Sequence, residues 1–122
     1  MPRFSANLGH LYVELPLIER IGAAAKSGFK AIELQLPYEL PPSAVKAEID
    51  RHGLTMLNIN SPQGPAGEPG LAAVAGREKD FATLFTKALD YVTAITFSAA
   101  GRSLGGTMPE STWIEVPPIA VT

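Results

Sequence analysis

The chain has 122 residues, 46% hydrophobic and 18% charged, with a formal net charge of −2 and no cysteine. That length suits one domain with a real core. The charge balance leaves no basic footprint for nucleic acid or an anionic membrane, and the lack of cysteine excludes disulfides, thiolate metal sites and thiol nucleophiles. The opening MPRFSANLGH lacks the basic region and apolar core of an export signal. No run approaches the roughly 18 apolar residues of a spanning helix, so a cytoplasmic location is expected.

Arg3 to Leu8 reads as a first strand with Phe4, Ala6 and Leu8 on one face. Pro16 suits a helix's first turn. Over Pro16 to Ser27 the residues Leu17, Ile18, Ile21, Ala24 and Ala25 form an apolar stripe, with Glu19, Arg20 and Lys26 opposite. Gly28 stands where a left-handed cap ends such a helix. Ala31 to Leu36 alternates as a second strand, with Ile32, Leu34 and Leu36 opposed to Ala31 and Glu33. Ser43 is expected to cap a second helix running to about His52, with Ala44, Val45 and Ile49 inward. Gly53 closes it and Leu54 to Ile59 is a third strand.

Arg77 to Ile95 is the longest helix, with Phe81, Leu84, Phe85, Ala88, Leu89, Val92 and Ile95 at helical spacing. Alternation of strand and helix implies parallel strands joined by right-handed crossovers. Thr96 to Thr122 breaks the pattern. It holds only three charges, Arg102, Glu110 and Glu115, with Gly105-Gly106 and Pro117-Pro118. Short strands at Ile95 to Ala99 and Trp113 to Val116 are the most it offers. The expected organisation is a domain over residues 1–95 and an irregular tail over 96–122. The composition break suggests that the tail is foreign, from a frame shift or an altered gene end.

The third strand turns polar at Asn58-Ile59-Asn60-Ser61 and opens into a loop with Gly64, Gly67, Gly70 and Gly76 among Pro62, Pro65 and Pro69. In α/β proteins ligands sit beyond the C-terminal ends of parallel strands. The glycines give hinge freedom suited to a lid. They do not make a phosphate cradle, because no glycine fingerprint joins a strand to a helix start and the prolines remove amide donors. The candidate substrate-binding residues are Asn60, Glu68, Asn7 and Glu33. Amides at strand ends can bond a carboxylate or hydroxyl, and the alternative for each is local capping. The alternative for the two carboxylates is a solvated or ion-paired surface charge. His10 follows the first strand's end, whereas His52 suits a helix C-terminus, where the dipole favours a cation. The two histidines are not at metal-ligand spacing.

With these residues in view the chain resembles the N-terminal half of the hydroxypyruvate isomerase family. The resemblance rests on Arg3-Phe4-Ser5-Ala6-Asn7-Leu8, Gly28-Phe29-Lys30-Ala31-Ile32-Glu33 with Pro37-Tyr38, and Asn60. It continues through Gly67-Glu68, Gly70-Leu71-Ala72-Ala73, Gly76-Arg77-Glu78, Phe81 and Ala88-Leu89-Asp90-Tyr91, covering about residues 2–95. It implies an α/β fold, the first three βα units of a xylose isomerase-like (β/α)8 TIM barrel. The implied reaction takes hydroxypyruvate to tartronate semialdehyde, or acts on a close analogue such as an oxo-tetronate, in carbohydrate and glyoxylate metabolism.

The family also implies a divalent metal, Mg or Mn, whose ligands and acid/base glutamates sit on later strands. No catalytic or metal residue is therefore assigned to this chain. A barrel needs about 250 residues, so the chain is expected to be truncated and inactive alone, with open strand edges prone to self-association. Two departures stand out. Where the family carries Gly-Asp-Trp and Gly-Glu-Arg-Gly, this loop has Gln63-Gly64-Pro65 and Gly67-Glu68-Pro69-Gly70. The alternative function is a non-catalytic α/β binding module that uses its exposed strand edges.

Overall fold

The computed structural model describes residues 2–96. The tail over 97–122 and the strand sought at Trp113 to Val116 lie outside them. Three strands, β1 (Ser5–Asn7), β2 (Ala31–Leu34) and β3 (Thr55–Ile59), alternate with helices α1 (Leu17–Lys26), α2 (Pro42–His52) and α3 (Glu78–Thr96). The strands form one parallel sheet in the order β1-β2-β3. Each neighbouring pair is therefore joined by a helical crossover, as the alternation requires. Ile95 and Thr96, read as the start of another strand, are instead the last turn of α3.

The sheet buries one face. Ala6, Leu8, Ile32 and Leu34 meet Ile21 and Ala24 of α1, Val45 and Ile49 of α2, and Tyr91 and Ile95 of α3. The opposite face carries Ser5, Asn7, Ala31 and Glu33, all half-buried. Alternation of side chains along a strand makes this split unavoidable. In a closed barrel that second face turns inward.

Local signals account for the element ends. Gly28 and Gly53 follow α1 and α2 at φ 91° and 62°, in the left-handed region that an L side chain resists. Arg20, placed by the stripe on the solvent side, has a structural task. Its guanidinium donates to the carbonyls of Leu15 at 2.8 Å, Leu8 at 2.8 Å and Val13 at 3.2 Å, fixing the loop after β1.

Several expectations are corrected. Ser43 is not the cap of α2: the helix starts at Pro42 after Pro41, and no side chain caps it. Pro42 occupies a first-turn position whose N–H would have no helical partner anyway, so the entry is set by proline's fixed φ. Phe4 is 73% exposed because it precedes the first paired residue, Ser5, and projects past the sheet. Leu36 is also exposed, since β2 ends at Leu34. In α3 the buried line runs through Ala88, Tyr91 and Ile95, with Phe81 and Leu84 half-buried. Phe85 and Leu89 lie outside it and are exposed. At about 100° per residue Leu89 is turned well away from Ala88, so a broad stripe in sequence is a narrower one in space.

Candidate functional site

The register sets the chemistry of the sheet's open face. Asn7 pairs with Glu33 on one side. On the other, a bulge between Ile32 and Glu33 shifts the partner from Met56 to Asn58, skipping Leu57. Ile59 then pairs with buried Leu34. Asn58 therefore stands on the face of Glu33, and Asn7, Glu33 and Asn58 lie side by side across three strands. The Ser5 hydroxyl donates to Glu33 Oε1, which fixes the carboxylate in the middle of the row. Asn7 Oδ1 accepts from Gly9 N–H at 3.0 Å, a turn that orients the amide and satisfies one of its ends.

One residue further along, at the carboxyl ends of the strands, Asn60 N–H donates to the Gln35 carbonyl at 2.9 Å. The Gln35 side chain reaches His10, with Nε2 to Nε2 at 3.2 Å. It lies so close over Gly9 that a Cβ there would come within 2.6 Å of its amide. A cleft of about 270 Å³ opens here, lined by Gln35, Asn60, Gln63, Glu68, Leu71 and Phe81 among others. A larger concavity of about 850 Å³ lies at the other end of the sheet, around Phe4, Phe29 and Leu57. It is away from the strand carboxyl ends, with Arg3, Ser5, Ser27, Lys30 and Thr55 as its polar side chains.

The backbone of Asn60 is held from the helix layer. Tyr38 Oη donates to the Asn60 carbonyl. The Tyr38 ring meets Tyr91 edge-on at 5.3 Å, and Lys87 Nζ stands 5.6 Å from its centroid. Tyr91 Oη bonds the carbonyls of Pro37 at 2.9 Å and Leu40 at 2.8 Å. Burial pushes both phenols above their ordinary range, so each keeps the proton it donates. α3, the loop after β2 and the end of β3 are thus joined through two tyrosines.

The glycine-rich loop has more order than its composition suggests. Two 3-10 turns, Pro65–Gly67 and Leu71–Ala73, fold it back. Gly64 N–H donates to the Glu68 carbonyl at 2.9 Å. A Cβ at Gly64 would meet Leu71 Cδ1 at 2.7 Å and Glu68 Oε2 at 3.0 Å, so glycine is what lets the buried Leu71 pack over the loop. Glu68 projects into the cleft but is bound by Arg77 at 3.2 Å. Arg77 also pairs with Asp80 at 2.5 Å. The hydrogen bond to Asp80 first and that to Glu68 second hold the guanidinium above its ordinary range.

Of the sequence candidates, Asn60 and Glu68 share the cleft, while Asn7 and Glu33 lie on the adjoining open face. Gln35 links the two regions. His10 stands at the margin beside Gln35. His52 belongs elsewhere, in the groove between α1 and α2 next to Gly22, with Nε2 at 3.5 Å from Glu48 Oε2. Asn58 and Gln35 were missed. The alternation around Ile59 was the available signal for Asn58, but the bulge that settles its face leaves no mark in composition. Among the described residues no three His, Asp or Glu side chains converge as metal ligands. Glu33 is engaged by Ser5 and Glu68 by Arg77, so the donor set does not fit a divalent ion. Nor is any described helix long and apolar enough to cross a membrane.

No family model matches the sequence. Among curated proteins, 2-oxo-tetronate isomerase of Cupriavidus necator is 44% identical over 97 residues, 78% of this chain and 37% of that protein. The Haemophilus influenzae protein of the same name is 42% identical over 97 residues, covering 78% and 38%. A human relative named "Putative hydroxypyruvate isomerase" is 42% identical over 96 residues, covering 76% and 35%. Among solved structures, a Brucella melitensis protein described as AP endonuclease, family 2, superposes with a TM-score of 0.73 at 40% identity. It is a xylose isomerase-like TIM barrel, and the match covers 78% of this chain and 38% of that one. The chain thus spans between a third and two fifths of the length of these relatives.

Proposed function

We propose, from the premise that the matched residues belong to the hydroxypyruvate isomerase family, that they form the substrate wall and lid of an aldehyde–ketone isomerase. Its substrate is a small hydroxy-oxo acid, hydroxypyruvate or a four-carbon 2-oxo-tetronate. The observation that carries this reading is the identity of 44% to an isomerase of that class over 97 residues. The residues that line the cleft, Asn60 and Glu68 among them, fall within the segment on which the resemblance rests.

Such an isomerisation moves a proton between adjacent carbons, which needs a base within hydrogen-bond reach and an electrophile on the oxygens. In our reading this chain's own residues orient the substrate. Asn60 and Gln35 offer amide donors and acceptors, and the loop carrying Glu68 covers the cleft and limits water. In the same reading a divalent metal and the proton-transfer groups come from residues outside the described segment.

The cleft lacks the basic lining that the endonuclease description of the Brucella relative would call for. Gripping a phosphate backbone takes free basic side chains, and the arginine nearest the cleft, Arg77, is paired with Glu68 and Asp80. A second reading, an interaction module acting through its sheet, draws on Leu57, which is 54% exposed on edge strand β3.

The test is an isomerisation assay with hydroxypyruvate and 2-oxo-tetronate, with Mg²⁺ or Mn²⁺ added. The 122-residue chain alone is expected to give no turnover. Mixing it with the remaining two thirds of the Cupriavidus relative as a separate polypeptide is expected to give measurable turnover. Turnover by the chain alone refutes the division of labour, and none in the mixture under conditions where the two polypeptides associate refutes the isomerase reading.

A further inference from the structure

We infer that Asn7, Glu33 and Asn58 form a hydroxyl-recognition row, so that this wall selects the polyhydroxylated end of the substrate and not its carboxylate. The inference deepens the isomerase reading, which supplies the substrate class. Its observations are independent of sequence similarity.

The first is the row itself. Glu33 lies between Asn7 and Asn58 in the parallel register, and the Ser5 hydroxyl holds one of its oxygens. An ionised carboxylate only accepts hydrogen bonds, whereas the Asn58 amide has a donor end and an acceptor end, and Asn7, whose Oδ1 accepts from Gly9 N–H, presents its NH2 as a donor. A vicinal pair of hydroxyls, each donating and accepting, matches acceptor beside mixed amide. A carboxylate laid on Glu33 brings like charges together with no proton between them.

The second observation is that the cleft lining holds no Lys or Arg, while the cations around it are engaged. Arg77 is paired with Glu68 and Asp80. Arg20 is committed to three loop carbonyls, and Lys87 stands over Tyr38 on the helix side. The cleft is lined instead by amides, Ser61 and Glu68 among apolar side chains, and Arg3 and Lys30 stand with Ser5 and Ala31 at the opposite end of the sheet. The third is the bulge. Without the bulge, Glu33 would pair with Leu57 and the row would end in an aliphatic side chain. A bulge that re-aims one side chain beside a site is a recurrent device. Asn58 is thereby a specificity-determining residue for hydroxyl-bearing substrates.

The test needs no turnover, so it stands apart from the isomerase assay. The 122-residue chain, labelled with nitrogen-15, is titrated with erythronate (three hydroxyls), glycerate (two) and pyruvate (none), following side-chain amide resonances by NMR. Those of Asn7 and Asn58 are expected to move with erythronate, less with glycerate and not with pyruvate. Asn58→Leu should weaken erythronate binding about tenfold, since a pocket built for a hydroxyl is sensitive to losing its partner. Glu33→Gln, which keeps shape and removes charge, should let pyruvate bind and serves if Asn58→Leu fails to fold. Equal shifts from pyruvate and erythronate in the native chain, no shift with any probe, or unchanged binding in the variants would overturn the inference.

Discussion

Removing one oxygen from α3 is expected to loosen the candidate site from behind. Tyr91 is 7% exposed, and its hydroxyl bonds the carbonyls of Pro37 and Leu40. One phenolic proton serves both acceptors, so Tyr91→Phe removes a single shared hydrogen bond. The Pro37 carbonyl still accepts from Leu40 N–H at 2.9 Å, which leaves the Leu40 carbonyl as the group most exposed to the loss. A lost hydrogen bond with one partly unsatisfied acceptor costs about 1–2 kcal/mol. Phenylalanine keeps the ring and hence the edge-on contact with Tyr38. Tyr91→Ala removes the ring as well and should cost about 3–5 kcal/mol. In thermal unfolding each kcal/mol moves the midpoint of a domain this size by about 4–8 °C. The smaller variant should also shift the Asn60 amide resonance, because Tyr38, which bonds the Asn60 carbonyl, leans on Tyr91. The reasoning is refuted if Tyr91→Phe unfolds at the native midpoint, or if it is as damaging as Tyr91→Ala.

Gly9→Ala should displace the Gln35 side chain, which a Cβ would approach to 2.6 Å. The obstacle is the mobile end of a side chain, so stability should change by less than about 1 kcal/mol while the Gln35 side-chain amide signal moves away from His10. Acid should weaken the outer groove. Glu48 is held below its ordinary value of 4.5, chiefly by the hydrogen bond from Arg51. A carboxyl with a lowered folded-state pKa contributes stability above its unfolded value and loses it as pH falls through the folded one. Glu48→Gln should therefore flatten the decline in stability below about pH 4.5, measured by urea unfolding across that range. On the open sheet face, Leu57→Lys should reduce concentration-dependent association in sedimentation, since a charge at an edge discourages strand pairing. Association unchanged by this variant counts against the edge as the contact.

The order of elements and their parallel pairing were legible because short-range signals repeat: a helix stripe, a glycine, then an alternating strand. Gly28 and Gly53 take the left-handed conformation their positions suggest. The ends of elements were less legible where two signals compete. At α2 the serine cap preference lost to Pro41-Pro42. In α3 seven apolar positions could not all face one core, and the sheet chose those nearest Tyr91. Tyr91 itself was passed over because a tyrosine in a helix reads as amphipathic, whereas its hydroxyl here finds buried carbonyl partners.

The candidate cleft was legible by place and not by membership. Strand carboxyl ends and a glycine-rich loop point to Asn60 and Glu68 without knowledge of register. Which residue stands beside Glu33 depends on one extra residue in β3, and such an insertion is invisible until two strands are paired. Simple alternation gives Leu57 as Glu33's neighbour, and the bulge substitutes Asn58. A one-residue slip exchanges the faces of everything that follows. With Ile59 returned to the helix side against Leu34, the slip also leaves Asn60 on the open side, adjoining the cleft. The same bulge therefore orders both the row across the sheet and the approach to the glycine-rich loop. On this argument, deleting Leu57, which lets Asn58 follow Met56 in plain alternation, should leave Asn58 beside Glu33 and Asn60 on the open side.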